Sequence, residues 1–473
     1  MIAYRSYSFI LLYAKREISY LRRHKINRRD FVKFGLGGGG LAAGGGFVLR
    51  NEQKPSSTFS KKFGHPWWVK EIDKPKLAVD DNSYTRFNSI NNVFGSMSKY
   101  YGMEKLKELR KRSSEKTAQY FREKRPGFRL EDRALSDAAW VISRLGGLNR
   151  GTRAWTSKNV MTPEERGVEK YSASPEEVAR VIKAAARYFG AATVGVTVYD
   201  RRHINATERR KNIVFEAVDE PYEEDEKLVI PNKCKYAIAL SVQMSLDNIA
   251  CSPSAISEAG SSLGYSRCEF LVAGLADFIR GLGYVAIPSV NDLGSSVGIA
   301  VDAGLGELGR TNRLITPEFG PMVRLCKVIT DLPMAVDKPI DFGLMEFCKV
   351  CKRCAEACPA NCLSFDDEPS FKIKGPWNNP GHQAWYEDSP QCLAYWSEST
   401  AGCSVCLAVC PWAKKDKTMI HDIVKATSAK IPALDRFFTS MDEAFGYGRQ
   451  KSVEQWWHLD LPEYGIDTMQ GKE

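Results

Sequence analysis

The stretch CKVCKRCAEACP, Cys348 to Pro359, decides how this chain is organised. Its spacing, Cys-x2-Cys-x2-Cys-x3-Cys-Pro, places three thiolates on one four-iron four-sulfur cubane while the fourth ligates a neighbouring cluster. A second cysteine set is therefore required. Cys392, Cys403, Cys406 and Cys410 provide it, in a Cys-x10-Cys-x2-Cys-x3-Cys run closed by Pro411. The crossover assigns Cys348, Cys351, Cys354 and Cys410 to cluster 1, and Cys358, Cys392, Cys403 and Cys406 to cluster 2. Zinc sites use paired Cys-x2-Cys knuckles instead of a triplet closing on Cys-Pro. The remaining five of thirteen cysteines, Cys234, Cys251, Cys268, Cys326 and Cys362, read as small buried side chains.

Outward from that run, 473 residues with 43% apolar and 26% charged side chains describe a folded chain with room for more than one core. The formal charge of +10 is concentrated at one end, because residues 1–50 hold ten Lys and Arg against two Asp and Glu. What remains is too weak for a nucleic-acid groove, so no nucleic-acid partner is expected. The same segment contains NRRDFVKFGLGGGGLAAGGGFVL, with Arg28 and Arg29 ahead of a mild, glycine-rich apolar run. This pattern predicts a twin-arginine export signal over 1–50, removed on maturation and too weakly apolar for a spanning helix. Exported chains often carry disulfides, but the cysteine spacing overrides that expectation here.

Between leader and clusters, residues 51–157 open as a Lys-, Pro- and Ser-rich linker and continue into charged helical patterns with a turn at Gly146 and Gly147. Ser174, Pro175 and Glu177 predict a helix N-terminus with a capping box, and Gly190 its end. Apolar segments at 193–200, 236–244, 284–290 and 322–331 read as strands, with an acidic excursion at 219–226 and a long amphipathic helix over 254–280. Strands alternating with helices define a mixed α/β or α+β core over 158–340, with an insertion around 183–234. A two-cluster domain follows at 341–415, and a C-terminal segment, 416–473, is expected to pack on the N-terminal region.

GLGELG, Gly304 to Gly309, fits G-x-G-x-x-G, and Asp331 stands where a ribose-binding acid belongs. The fingerprint, however, needs its glycines to open a helix. Pro317, Gly320 and Pro321 follow within a dozen residues, so a nicotinamide site is rejected. The loop reads as a close backbone approach to a large, flat or anionic cofactor.

Taken together, the leader, GYSR, SVNDLG, AGLGELGR and GPMVRLCK, and the paired cluster motifs resemble the catalytic subunit of the respiratory reductive dehalogenases over essentially the whole chain. The resemblance implies a nitroreductase-like, corrinoid-binding core followed by a bacterial ferredoxin-like domain. It also implies a base-off, cobalamin-type corrinoid beside two 4Fe-4S clusters. No D-x-H-x-x-G motif occurs, and the six histidines lie outside the core blocks. The family's active-site tyrosine, asparagine and arginine fall on Tyr265, Asn291 and Arg324. In that role a phenol, whose ordinary pKa is about 10, protonates the carbon that loses halide. A guanidinium stabilises the phenolate and an amide orients it. Gly304, Gly306, Gly309 and Ser261 are candidate corrinoid contacts, and Trp377, Trp385, Tyr395 and Trp396 candidate walls of an apolar pocket. The expected function is halide removal from a chlorinated ethene or aromatic as the last step of anaerobic respiration. The implied partners are a small membrane anchor protein, an upstream low-potential donor and a second copy in a homodimer, with the enzyme peripheral on the outer face of the cytoplasmic membrane. Two rivals fit parts of the pattern. They are an epoxyqueuosine reductase, which needs a basic face for tRNA, and an exported ferredoxin-type carrier, which needs few of the residues preceding the clusters.

Overall fold

The computed structural model describes residues 65–157, 159–413, 425, 427 and 448–466. The arginine pair of the leader and most of 416–473 lie outside the described residues. The longest helices of the N-terminal region are α1 (Met103–Arg122) and α2 (Leu130–Ala139). Helix α3 (Pro175–Tyr188) then begins as its sequence demands, with Ser174 Oγ accepting from the Glu177 amide at 3.3 Å and proline in the first turn. The expected capping box is only half formed. The Glu177 carboxylate turns outward to Arg180, 2.8 Å from Nε, because a charged partner one turn on competes for it.

In chain order the core continues through β1 (Thr193–Val198), β2 (Lys211–Glu216), β3 (Lys227–Pro231), β4 (Tyr236–Gln243) and α4 (Ala255–Gly281). It closes with β5 (Ala286–Ser289), α5 (Ser296–Asp302), β6 (Glu307–Leu308), β7 (Leu314–Ile315) and β8 (Val323–Thr330). The central sheet has the order β5-β8-β4-β1 and is antiparallel throughout. Both of its faces are covered, which is why its strands read as continuous apolar runs instead of alternating ones. Along β4, Ile238, Leu240 and Val242 face α3 and α4, where Ile182, Val272, Leu275 and Ile279 complete one core. Ala237 and Ala239 face the other way, against Ile299 and Ala300 of α5. Cutting a fully buried Leu275 back to Ala in such a core costs about 2–5 kcal/mol.

The residues flanking the acidic excursion at 219–226 form a second, four-stranded sheet, to which the excursion itself supplies only an edge strand. There β2 and β3 pair in parallel, with two-residue strands at Thr207–Glu208 and Tyr222–Glu223 on the edges. Ile213, Leu228 and Ile230 are buried against the second core, and that burial outweighs the acidic surroundings.

Strand β8 leads toward the cysteine-rich lobe, which is built from α6 (Leu344–Cys351), α7 (Arg353–Glu356), α8 (Ser389–Ser399) and α9 (Val405–Ala408). Trp68, Phe342, Leu344, Phe347 and Trp412 form the core joining the lobe to the sheet. At this junction Gly320 has φ +56°, and a Cβ there would lie 2.3 Å from the Trp412 carbonyl oxygen, so no side chain fits. Residues 448–466 touch both α2 and the core: Trp457 Nε1 donates to Asp132 Oδ1 of α2 at 2.8 Å, and Trp456 and Val453 join Leu135 of α2 with Cys251 and Ile256 of the core. Among the described residues no helix is long and apolar enough to cross a membrane.

Candidate functional site

Helix α4, the loop after β5 and strand β8 bring Tyr265, Asn291 and Arg324 together. The Asn291 side-chain amide donates to the Tyr265 hydroxyl at 2.9 Å. The Arg324 guanidinium carbon sits 4.6 Å from the centre of the Tyr265 ring, on its face. Gly264 makes this approach feasible, since a Cβ at that position would come within 2.7 Å of Arg324 Cγ. The rest of GYSR fixes the surroundings. Ser266 Oγ donates to the Ala139 carbonyl at 2.6 Å and accepts from the Ser143 amide at 3.1 Å, pinning the segment between them onto α4. Arg267 donates to the Gln243 carbonyl at the end of β4, at 2.7 Å. That pinned segment carries Trp140, whose ring stacks on Tyr265 at 5.4 Å with 14° between planes. Asn291 is exposed while Tyr265 and Arg324 are half-buried, so the trio opens outward. Arg324 Nε is buried without a hydrogen-bond partner, as befits a site completed by a further group.

A buried charge network holds this geometry. Glu269, one turn after Tyr265, has Oε1 3.1 Å from Arg153 Nε and accepts from Thr152 Oγ1 at 2.7 Å. Arg153 Nη1 also pairs with Asp292, the residue after Asn291. Asp292 Oδ1 accepts from Ser289 Oγ at 2.8 Å and from the Val290 amide at 3.0 Å, closing the turn. Lys327, fully buried on β8, donates to the Asp292 carbonyl at 2.9 Å and to Ser296 Oγ at 3.0 Å. Burial pulls the Lys327 ammonium down to about 8, opposed by Asp292. Burial raises the Glu269 carboxyl, opposed by Arg153.

Ser261 lies one turn before Tyr265 and is half-buried. The glycines of the 304–309 loop are filled against the protein itself. A Cβ would lie 2.3 Å from the Lys338 carbonyl oxygen at Gly304, 2.2 Å from that of Ile315 at Gly306, and 2.7 Å from Ile315 Cγ1 at Gly309. Chain packing is enough to require glycine at these positions, and the loop runs into the β6–β7 hairpin, not a helix. The aromatics of the cluster lobe are also engaged within the chain. Trp385 Nε1 donates to the Asp366 carbonyl at 3.0 Å and Trp377 Nε1 to that of Glu387 at 3.2 Å, while Trp396 lies edge-on to Phe94 and Tyr395 packs among the cysteines.

The eight motif cysteines fall into two groups. Cys348, Cys351, Cys354 and Cys410 line one cavity with Gly309, Arg310, Thr311 and Trp412. Burial, with the neighbouring Cys351 thiol adding, pushes the Cys348 thiol up to about 12. Cys354 is raised by burial and by the thiols of Cys348, Cys410 and Cys351. Four thiolates so placed require a metal charge among them. Thr311 Oγ1 and Trp412 Nε1 are buried here without partners, as donors facing sulfide would be. Cys358, Cys392 and Cys406 pack together, with Cys354 of the first group against them, and the Cys403 thiol, pushed up to about 11 by burial, also feels Cys392 and Cys358. Cys362 stands beside them with its Sγ 3.4 Å from that of Cys358. All five remaining cysteines are buried.

Sequence reasoning missed Trp140, Arg153 and Arg310. Only Arg310 carried a signal, as a lone cation inside GLGELGR.

Family models match this chain as a reductive dehalogenase subunit over residues 64–214 and 198–334, and as a 4Fe-4S double cluster binding domain over 347–413. The tetrachloroethene reductive dehalogenase of Sulfurospirillum multivorans is 31% identical over 482 residues, spanning 94% of this chain and 96% of that protein. A second tetrachloroethene reductive dehalogenase, from Desulfitobacterium hafniense strain Y51, is 35% identical over 329 residues, or 63% of this chain and 59% of its own. A solved reductive dehalogenase, described as suggesting a mechanism for B12-dependent dehalogenation, superposes with a TM-score of 0.60 at 23% identity. That match covers 83% of this chain and half of the other, and it speaks to the fold alone. The chain belongs to the reductive dehalogenase family: it is an oxidoreductase that pairs a mixed α/β core with a double 4Fe-4S cluster domain.

Proposed function

We propose that this enzyme removes halide reductively from a small organohalide, a chlorinated ethene or a chlorinated aromatic, as the terminal step of anaerobic respiration. The observation that carries the reading is the convergence of Tyr265, Asn291 and Arg324 in a chain whose relatives are named for tetrachloroethene. The unpartnered Arg324 Nε and the open side of the trio fit a base-off corrinoid in a nitroreductase-like core. Of the histidines, His203 is engaged at both ring nitrogens, by Tyr84 and Asp302, so it would not be free to hold a metal. When bound, the corrinoid supplies reducing power at its cobalt, replenished through the two clusters.

The chain's own residues manage the proton. Net, the carbon–halogen bond breaks, halide leaves with its electron pair, and carbon takes two electrons and one proton. Tyr265 gives that proton from its hydroxyl and is reprotonated from solvent at the exposed Asn291 edge. Asn291 Nδ2 holds the phenol oxygen in one orientation through the reaction, donating to phenol and phenolate alike. Arg324, against the ring face, stabilises the delocalised negative charge. Trp140 covers the opposite side of the proton-donating group with an apolar surface suited to a halogenated substrate.

Export by the twin-arginine route, peripheral attachment to the outer membrane face through a small anchor protein, a separate low-potential donor and a homodimeric state complete the proposal. The leader motif and the family support these points.

The test is a panel of chlorinated ethenes, ethanes, benzenes and phenols, with a low-potential donor and anaerobically purified protein. Halide release with one member of the panel is expected, along with cobalamin absorption bands. Turnover of modified tRNA with all organohalides untouched would overturn the reading, as would iron-sulfur bands without cobalt.

A further inference from the structure

The two cysteine groups sit in different electrostatic settings. At the cluster 1 cavity, Arg310 is 2% exposed. Its guanidinium donates only to carbonyls: Nη2 and Nε to Cys348 at 2.7 and 3.1 Å, Nη1 to Ser364 at 2.8 Å and Asp366 at 2.7 Å. The face of Trp385 covers it, with the guanidinium carbon 4.7 Å from the ring centre. Among the described residues no carboxylate lies within ion-pair distance of it. Lys352, also on the wall, is neutralised by Asp367. Glu307 acts on Cys348 from the hairpin, but its carboxylate is turned to the Phe342 amide at 2.9 Å and makes no ion pair with Arg310. Thr311 and Trp412, which line the same cavity, each keep a buried donor without a partner.

Around cluster 2 the corresponding cation is cancelled. Arg313, which acts on Cys406 and Cys392, pairs with Glu387 at 3.1 Å, and Glu387 acts on the same thiols. Donors do reach this group: the Ser252 hydroxyl and the Val405 amide at Cys403, the Ala360 and Leu363 amides at Cys358, and the weak, neutral Cys362 thiol.

Reduction adds one electron and one negative charge to a cluster and makes or breaks no bond. An uncancelled buried cation favours the reduced form, whereas a neutral ion pair does not. We propose that Arg310, assisted by Thr311 and Trp412, makes cluster 1 the higher-potential of the two centres, so that the first electron entering the protein settles beside the 304–309 loop and not at cluster 2. This deepens the proposed function and rests on both clusters being present, which iron content and spectra of the unmodified protein check separately.

The experiment is an EPR-monitored potentiometric titration of full-length protein carrying both clusters. Cys410→Ala identifies the cluster 1 signal by removing it. In unmodified protein that signal is expected to reduce first as potential falls. Arg310→Met should lower the reduced-to-oxidised ratio of cluster 1 at least tenfold at fixed potential, about 59 mV for a one-electron couple, and leave cluster 2 unchanged. Arg310→Lys keeps the charge and should restore most of the shift, which a purely structural role would not predict. If Arg310→Met fails to assemble, Thr311→Val should shift the same signal in the same direction by a smaller amount. Equal potentials in the unmodified protein, earlier reduction of cluster 2, or parallel shifts of both clusters in the variants would each overturn the proposal.

Discussion

Asn291 donates to the hydroxyl of Tyr265 at 2.9 Å although the two residues belong to a loop and a helix 26 positions apart. The bond is held from behind by the Glu269–Arg153–Asp292 network, whose outer members lie one helical turn after Tyr265 and next to Asn291. Proton delivery is therefore separable from electron supply, and each can be tested alone.

Tyr265→Phe deletes the proton and keeps the ring against Trp140 and Arg324. Turnover should fall by about 10²- to 10⁴-fold, the usual worth of a general acid, with cofactor bands unchanged. Full turnover by the Phe variant would remove Tyr265 as donor.

Gly264→Ala introduces a methyl where Arg324 Cγ now lies, at 2.7 Å. The arginine side chain must leave the ring face, so kcat should drop while the fold, read by circular dichroism, persists. An unchanged kcat would mean that the guanidinium does not act through the Tyr265 ring.

Arg153→Met leaves two buried carboxylates facing each other across the site. Breaking such a network costs about 3–5 kcal/mol, read as a lowered thermal midpoint. Because the network acts through the Tyr265–Asn291 bond, the activity loss should be much smaller in a Tyr265→Phe background. Equal losses in both backgrounds would show that Arg153 supports the fold only.

Glu307 gives a pH signature. Burial holds its carboxyl at about 7 against an ordinary 4.5, with the Phe342 amide at 2.9 Å opposing. The folded state therefore keeps a proton that the unfolded chain has released between those values. This stabilising contribution is complete below about pH 4.5 and is lost as pH rises through about 7, roughly 3 kcal/mol in all. Glu307→Gln should thus gain stability relative to the parent between about pH 5 and pH 8. A constant difference across that range would rule the linkage out.

Cys410→Ala should halve the iron content and leave the cluster 2 signal, although Cys410 stands in the second motif, because the structure places it in the cavity of the first. Loss of the other signal would reverse the ligand assignment.

Much of this architecture could be read from the chain. Strands β1, β4, β5 and β8 and helix α4 emerged within a few residues of their limits because both sheet faces are buried and the apolar runs are unbroken. The second sheet was hidden, since its strands are short and its partners acidic. The cysteine grouping followed from spacing alone. Tyr265, Asn291 and Arg324 needed the family resemblance, because spacing cannot reveal a helix, loop and strand that meet in space. Arg153 was invisible for the same reason: it lies 139 positions from the Asp292 it binds, and nothing local marks it.

Gly320, pressed against the Trp412 carbonyl, has an engineering consequence. The seam between the sheet and the cysteine-rich lobe is cut to bare backbone, so moving this lobe onto an unrelated scaffold would fail at the weld unless the recipient chain also lacked a side chain there.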